Sequence, residues 1–273
     1  MSLLYGPMGL VTILRKKSGG VGCGGGPGSN ELLAGDCVAG FFGEVTTAEF
    51  GADHADLYTL IGLTAGTLQN QTEPFLKFIH DGKIKFIPKK STRNNVSWDH
   101  VNIALGGSAN GAPAEKTITV GNFQYKVRFM RGAGRAKLAS GRIATADYAH
   151  TDRASIWSST DNGATGNWSS QSENEWSTLI LPLHISSDDG GANKNNFTYS
   201  AYAPDYVPDW ASYTDAGLNI LNNGGYVWCA ETRDNSTAHR IYRGGNAVAY
   251  IDSGSSSGAA AGYGCRLVFE FVI

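Results

Sequence analysis

The last residues of the sequence, Tyr263-Gly264-Cys265-Arg266-Leu267-Val268-Phe269-Glu270-Phe271-Val272, decide the fold class. From Arg266 the positions alternate: Leu267, Phe269 and Phe271 fall on one face, and Arg266, Val268 and Glu270 on the other. That period of two marks a strand with one buried face, so the segment is expected to lie within a sheet. Working back, Tyr226-Val227-Trp228-Cys229, Arg240-Ile241-Tyr242-Arg243 and Ala247-Val248-Ala249-Tyr250 read as further short strands. Residues 132–172 are polar, Gly-rich and weakly periodic, and read as surface loops. The first half mixes both periods. Val38–Val45 has strand composition, and Ala52–Leu63 places Leu57, Leu60 and Ile61 at helical spacing. Phe75–Ile79 and Ile84–Ile87 flank the hairpin signal Asp81-Gly82. Ser97 is an N-cap residue ahead of Trp98, Val101 and Leu105, which share one helical face. Thr117–Val120 and Phe123–Phe129 form a second hairpin pattern around Gly121-Asn122. Ser172-Glu173-Asn174-Glu175-Trp176 has capping-box spacing, and Pro182 limits the helix it would open. The class is therefore α+β, with short antiparallel sheets, two or three short helices and long loops.

Composition narrows the function. The chain has 273 residues, 41% of them hydrophobic, which is enough to bury a large core. Lys and Arg number 22 against 24 Asp and Glu, a formal net charge of −2, so no broad basic surface is expected for nucleic acid. No apolar run approaches the roughly 20 residues of a membrane helix, and membrane insertion is not expected. The segment Leu3–Leu14 is interrupted by Gly6, Pro7 and Gly9, and its basic cluster Arg15-Lys16-Lys17 follows the apolar part, so it does not read as a secretory signal. The tract Ser18–Gly28 is mostly glycine, buries little by itself and is expected to be mobile. Residues 1–35 thus read as an extended anchoring arm ahead of a domain at 36–273, itself divided into a hairpin-rich half (36–130) and a loop-rich half (131–273). Leu3, Leu4, Leu10 and Ile13 are the candidate assembly contacts, placed either on a neighbouring subunit or on the arm's own domain.

Six short segments, in order, resemble landmarks of the formylglycine-generating, sulfatase-modifying-factor family, which has an elaborated C-type-lectin-like fold. They are Glu44–Phe50 (E-V-T-N-x-x-F in the family), Asn95–Asp99 (N-V-S-W-x-D), Ser172–Trp176 (T-E-A-E-W), Gly225–Cys229 (G-N-V-W-E-W), Arg240–Asn246 (R-V-x-R-G-G-S) and Tyr263–Val268 (G-F-R-L-V). The resemblance covers roughly residues 40–273. It implies that Trp98, Trp176 and Trp228 fill the core, that Gly244-Gly245 makes a turn closed to residues with a Cβ, and that Arg240, Arg243 and Arg266 pin loops. It does not carry catalysis. The family's reactive cysteine pair precedes the closing motif, and residues 246–262 hold no cysteine. None of His54, His80, His100, His150, His184 or His239 has the H-x-x-x-H-x-E spacing of iron-dependent relatives. No catalytic residues, cofactor or metal are expected. Asp188-Asp189 reads as a solvated turn.

The same scaffold without catalytic cysteines is similar to that of bacteriophage virion proteins, which end in a G-F-R-P-V-L-E-like strand after an N-E-W helix. Asn174–Trp176 and Gly264–Glu270 resemble that variant, and so do Phe75–Phe78, Asp81–Lys83 and Phe86–Lys90. The resemblance implies a virion protein assembled in the host cytoplasm as a homo-oligomer, joined to other virion proteins through its arm. A tail fibre, baseplate or tip location implies binding to a host-surface glycan or protein, for which Tyr199, Tyr202, Tyr206, Trp210 and Tyr213 are the candidate contacts. Those rings could equally pack over the sheet or sit in an oligomer interface. A capsid decoration or head-fibre role is the alternative, and a formylglycine-generating-like enzyme is disfavoured. Cys229 and Cys265 replace family residues and are either paired or two buried thiols. Cys23 and Cys37 flank the arm and are ordinary thiols, an intersubunit clasp or a disulfide with each other.

Overall fold

The computed structural model describes residues 23–132, 174–184, 210, 213–233, 236–245, 248 and 251–272. They form a mixed α+β structure around two open sheets. Numbered in chain order, the strands of the first sheet lie side by side as β1 (Ala34–Gly35), β2 (Ala39–Val45), β4 (Phe75–His80), β5 (Lys83–Pro88), β13 (Val268–Val272), β8 (Phe123–Arg128) and β7 (Glu115–Val120). Those of the second follow the order β11 (Ile251–Ser255), β10 (Ser236–Arg243), β9 (Tyr226–Arg233), β12 (Tyr263–Cys265), β6 (Arg93–Asn94) and β3 (Thr67–Leu68). The β4–β5 hairpin turns on Asp81 (φ 54°) and Gly82 (φ 71°), the paired positive φ values that the Asp-Gly signal predicts.

The first sheet is covered on both faces. Along β4 and β5, Phe75, Ile79, Ile84 and Phe86 join one buried cluster with Tyr125, Phe269, Trp98 and Trp228, while Leu76, Phe78 and Ile87 join another with Trp176, Leu179 and Val268. Alternate residues of one strand thus serve two cores, which is why these strands read as nearly continuous apolar runs. Three short helices cover the first face. Helix α1 (Thr47–Phe50) opens with a Thr46–Glu49 capping box and drives Phe50 into the sheet, its ring 4.2 Å from Phe75 and 4.8 Å from Tyr125. Helix α2 (His54–Ile61) is capped by Asp53, and α3 (Trp98–Ala104) by Ser97 as the sequence predicts. A fourth helix, α4 (Asp215–Leu218), buries Leu218 in the second cluster.

Several expectations need correction. The closing segment is two strands, not one: β12 belongs to the second sheet, β13 to the first, and the chain crosses at Arg266-Leu267. Leu267, Val268, Phe269 and Glu270 are all buried, so the alternation separates two covered faces instead of core from solvent. The ladders are not all antiparallel, because β12 runs parallel to β9 before it leaves for the first sheet. The apolar segment Ala247–Tyr250 is represented among the described residues by Val248, which lies in a turn, and the strand that pairs with β10 is Ile251–Ser255. Val248 is apolar because it is buried beside Trp176, whose indole N–H donates to its carbonyl. Finally, the described part of the glycine tract, from Cys23 to Gly28, is not free. Cys23 forms a disulfide with Cys37 of the same chain, and Lys77 grips the backbone of Pro27.

Trp228 lies where the two sheets meet. Its ring stacks on Tyr263 at 4.6 Å, and its indole N–H donates to the Val96 carbonyl at 2.8 Å. Trp228→Ala should lower the unfolding free energy by about 3–5 kcal/mol, read from urea denaturation. An unchanged midpoint would remove Trp228 from the core.

Candidate functional site

The residues of the resemblance sit in the interior. Trp98, Trp176, Trp228, Arg240, Arg243 and Arg266 are each at most 1% exposed. Arg240 lays its guanidinium over the Trp98 ring, 3.8 Å from the centroid, and donates to the Gly111 carbonyl at 2.5 Å. Arg266, at the crossing between sheets, donates to the carbonyls of Lys89 and Leu218 and lies beside Trp176. It therefore ties the end of β5 to α4 at the point where the chain has left both sheets. Burial pulls the pKa of Arg240 and Arg243 down to about 10 and that of Arg266 to about 9, which leaves all three charged at neutral pH. Gly244 (φ 78°) and Gly245 (φ 86°) make the predicted turn. A Cβ on Gly245 would strike the Tyr226 ring, and one on Gly244 would meet the Gly225 carbonyl oxygen.

The second face of the first sheet carries a charge network. Glu175, fully buried, accepts from Arg128 Nη1 at 2.8 Å and Nη2 at 2.6 Å, from Lys85 Nζ at 2.7 Å and from the Arg131 backbone N–H at 2.9 Å. Arg128 Nη2 also donates to Glu270, which Lys83 reaches at 2.5 Å, and Lys85 Nζ lies 3.0 Å from His80 Nδ1. Burial alone would raise the Glu175 pKa, but Arg128 and Lys85 hold it well below the usual carboxylate range. Burial likewise opposes ionisation of Glu270, and Lys83 and Arg128 reverse that. Burial, reinforced by Lys85, lowers His80 and keeps it neutral as an acceptor. Glu175 turns into the sheet, its helix is a π turn (Trp176–Ile180), and Ser172, the other half of the capping box read from the sequence, lies outside the described residues. Sequence reading singled out Glu175 but gave it a local partner, because a side chain that pairs across 47 and 90 residues leaves no spacing signal.

Of the candidate ligand contacts, Trp210 and Tyr213 are described, both half-buried, and Tyr199, Tyr202 and Tyr206 lie outside the described residues. The two rings pack against the second cluster. Trp210 N–H donates to the Pro182 carbonyl and Tyr213 N–H to that of Leu183. The Tyr213 hydroxyl donates to Glu44 at 2.7 Å, and Lys89, paired with Glu44, stands over its ring at 4.8 Å. Beneath them is a pair the sequence did not announce, His184 Nε2 with Asp215 at 3.0 Å. The arm contacts Leu3, Leu4, Leu10 and Ile13 and the turn Asp188-Asp189 lie outside the described residues. Cys229 and Cys265 are unpaired buried thiols, and burial raises Cys265 to about 12. A shallow groove of 320 Å³ between α2 and α3, lined by Leu63, Ala65, His100 and Ile103 among others, is separate from all of these. Among the described residues no three of His, Cys, Asp and Glu converge as metal ligands, and no helix is long and apolar enough to cross a membrane. Comparison with protein-family models, with curated proteins and with solved structures found no match.

Glu175→Gln should cost about 3–5 kcal/mol, because it leaves Lys85 buried without an anion and Arg128 with Glu270 alone. The pH dependence follows from the same groups. Glu175 and Glu270 have folded pKa values below their unfolded ones, so their stabilisation is present above about pH 4.5 and is lost as pH falls through the folded values. Burial depresses His54 to about 4 from 6.5, so the unfolded chain takes up a proton that the folded one refuses, and stability also falls between those values. Denaturation midpoints measured from pH 7 to 3 should decline first through His54 and then more steeply. The lower part of the decline should be shallower in Glu175→Gln.

Proposed function

We propose that this chain is a structural protein of a bacteriophage particle, non-enzymatic and homo-oligomeric. Its domain is of C-type-lectin-like type and serves as a binding platform on a tail fibre, baseplate or tip. The observation that supports this most is the placement of the landmark side chains. Trp98, Trp176, Trp228, Arg240, Arg243 and Arg266 are all buried, and Arg240 and Arg266 each donate through Nη2 to backbone carbonyls. Arginines used in this way hold loops in place, as a scaffold requires. The surface of Trp210, Tyr213 and Lys89 packs on the second core and combines flat aromatic faces with a charged rim, a chemistry suited to sugars or to a protein hot spot. The arm, through Leu3, Leu4, Leu10 and Ile13, would join the domain to other virion proteins.

Two measurements test the reading together. Electron microscopy of the intact particle should find a handful of copies at the tail; hundreds on the capsid would replace the tail reading with decoration or a head fibre. A glycan array and host-cell binding should detect a ligand whose affinity falls at least about tenfold in Trp210→Ala, the scale of a hot-spot aromatic. Absence of binding by the intact oligomer would defeat the receptor-binding role.

A further inference from the structure

The segment Cys23–Asn30 is a strap over one side of the first sheet. It is fastened at both ends. At one end Cys23 is bonded to Cys37, in the turn between β1 and β2, with the Cα atoms 5.6 Å apart. At the other, Lys77 Nζ donates to Pro27 O and Ser29 O, each at 2.8 Å, and to Asn30 Oδ1 at 2.9 Å. Between these points Gly25 and Gly26 lie against the Phe271 ring, Gly26 also against Phe86, and Gly28 against Val45. Lys77 is fully buried beneath, its ammonium 5.3 Å from the Phe42 ring centroid and 5.7 Å from that of Phe86.

Lys77 projects from the middle of a seven-stranded sheet into an aromatic environment, and among the described residues no carboxylate pairs with it. The oxygens that replace its hydration shell all belong to the strap. Burial accordingly lowers its pKa to about 8. The strap itself has weak grounds for staying in place, since Gly24, Gly25, Gly26 and Gly28 pay a large ordering entropy and bury almost no side chain. The disulfide reduces that entropy by holding one end near its place. Cys37 is exposed, so a reductant can reach the bond, whereas Cys229 and Cys265 are buried.

We propose that the Cys23–Cys37 disulfide is a redox latch that keeps the Cys23–Asn30 strap closed over Lys77, and that its reduction by a dithiol lifts the strap and opens Lys77 to solvent. A thiolate of the dithiol attacks one sulfur, the S–S bond breaks through a mixed disulfide, and the second thiol displaces the protein. Two electrons and two protons pass to Cys23 and Cys37, and the dithiol leaves as its cyclic disulfide. The domain stays folded throughout, because the Glu175–Arg128 network and the second core lie on the opposite face of the sheet from the strap. The latch then switches a primary amine and the apolar strip around Phe86 and Phe271 between covered and exposed states.

The test is amine acetylation of the native full-length protein with and without dithiothreitol, read by peptide mass spectrometry. In the oxidised protein Lys77 should be as protected as Lys85. After reduction Lys77 labelling should rise at least tenfold, Cys23 and Cys37 should become alkylated, and Lys85, Cys229 and Cys265 should stay protected. Cys23→Ser should reproduce the reduced pattern without dithiothreitol. Equal Lys77 protection in both states overturns the latch. So does alkylation of Cys23 and Cys37 in protein never exposed to a reductant. Joint exposure of Lys77 and Lys85 overturns it as well, because the disulfide would then hold the whole domain and not a strap.

Discussion

On the second face of the seven-stranded sheet the structure depends on one buried carboxylate. Glu175 receives Arg128 in a two-point bond, Lys85 from the adjoining part of the sheet and the backbone of Arg131 where the chain leaves β8. Without it, Lys85 would be a buried cation with no anion and Arg128 would keep Glu270 alone, a state that costs far more than an ordinary lost hydrogen bond. With it, the turn that carries Trp176, Leu179 and Ile180 is placed over the sheet, and the second core can close on Val248 and Leu218. Geometry here matters more than net attraction, since an apolar replacement of the whole network could be as stable but would not aim the Trp176 turn.

The first face solves the same problem differently. Lys77 is as buried as Lys85 but takes carbonyl oxygens from the Cys23–Asn30 strap instead of a carboxylate. The two lysines lie on adjacent strands and point to opposite faces, as the pleat requires. Each draws a remote segment onto the sheet: the 176–183 turns on one side, the strap on the other. The sheet is thus covered by segments held through point charges where long helices would otherwise be needed. That suits a chain with 36 glycines and only 17% charged residues.

The arginines extend this economy to the second sheet. Arg240 and Arg266 each donate through Nη2 to backbone carbonyls at places where the chain has left regular structure, and Arg266 does so at the crossing from β12 to β13. The half-buried Trp210 and Tyr213 pack against the second core, and Tyr213 is held by Glu44 and Lys89.

The sequence by itself determined the local elements: the Asp81-Gly82 hairpin, the Ser97 cap of α3, the helix around Leu57 and Ile61, and the burial of Trp98, Trp176 and Trp228. These depend on turn chemistry, capping and side-chain period, which act over a few residues. Only the tertiary structure decided that Leu267 to Glu270 serve two covered faces, that Glu175 pairs with Lys85 and Arg128, that Cys23 joins Cys37, and that His184 meets Asp215. The physical reason is the same in each case. A period of two separates one face of a strand from the other but says nothing of what covers either. A charge or thiol finds its partner across tens of residues only after the sheets have formed.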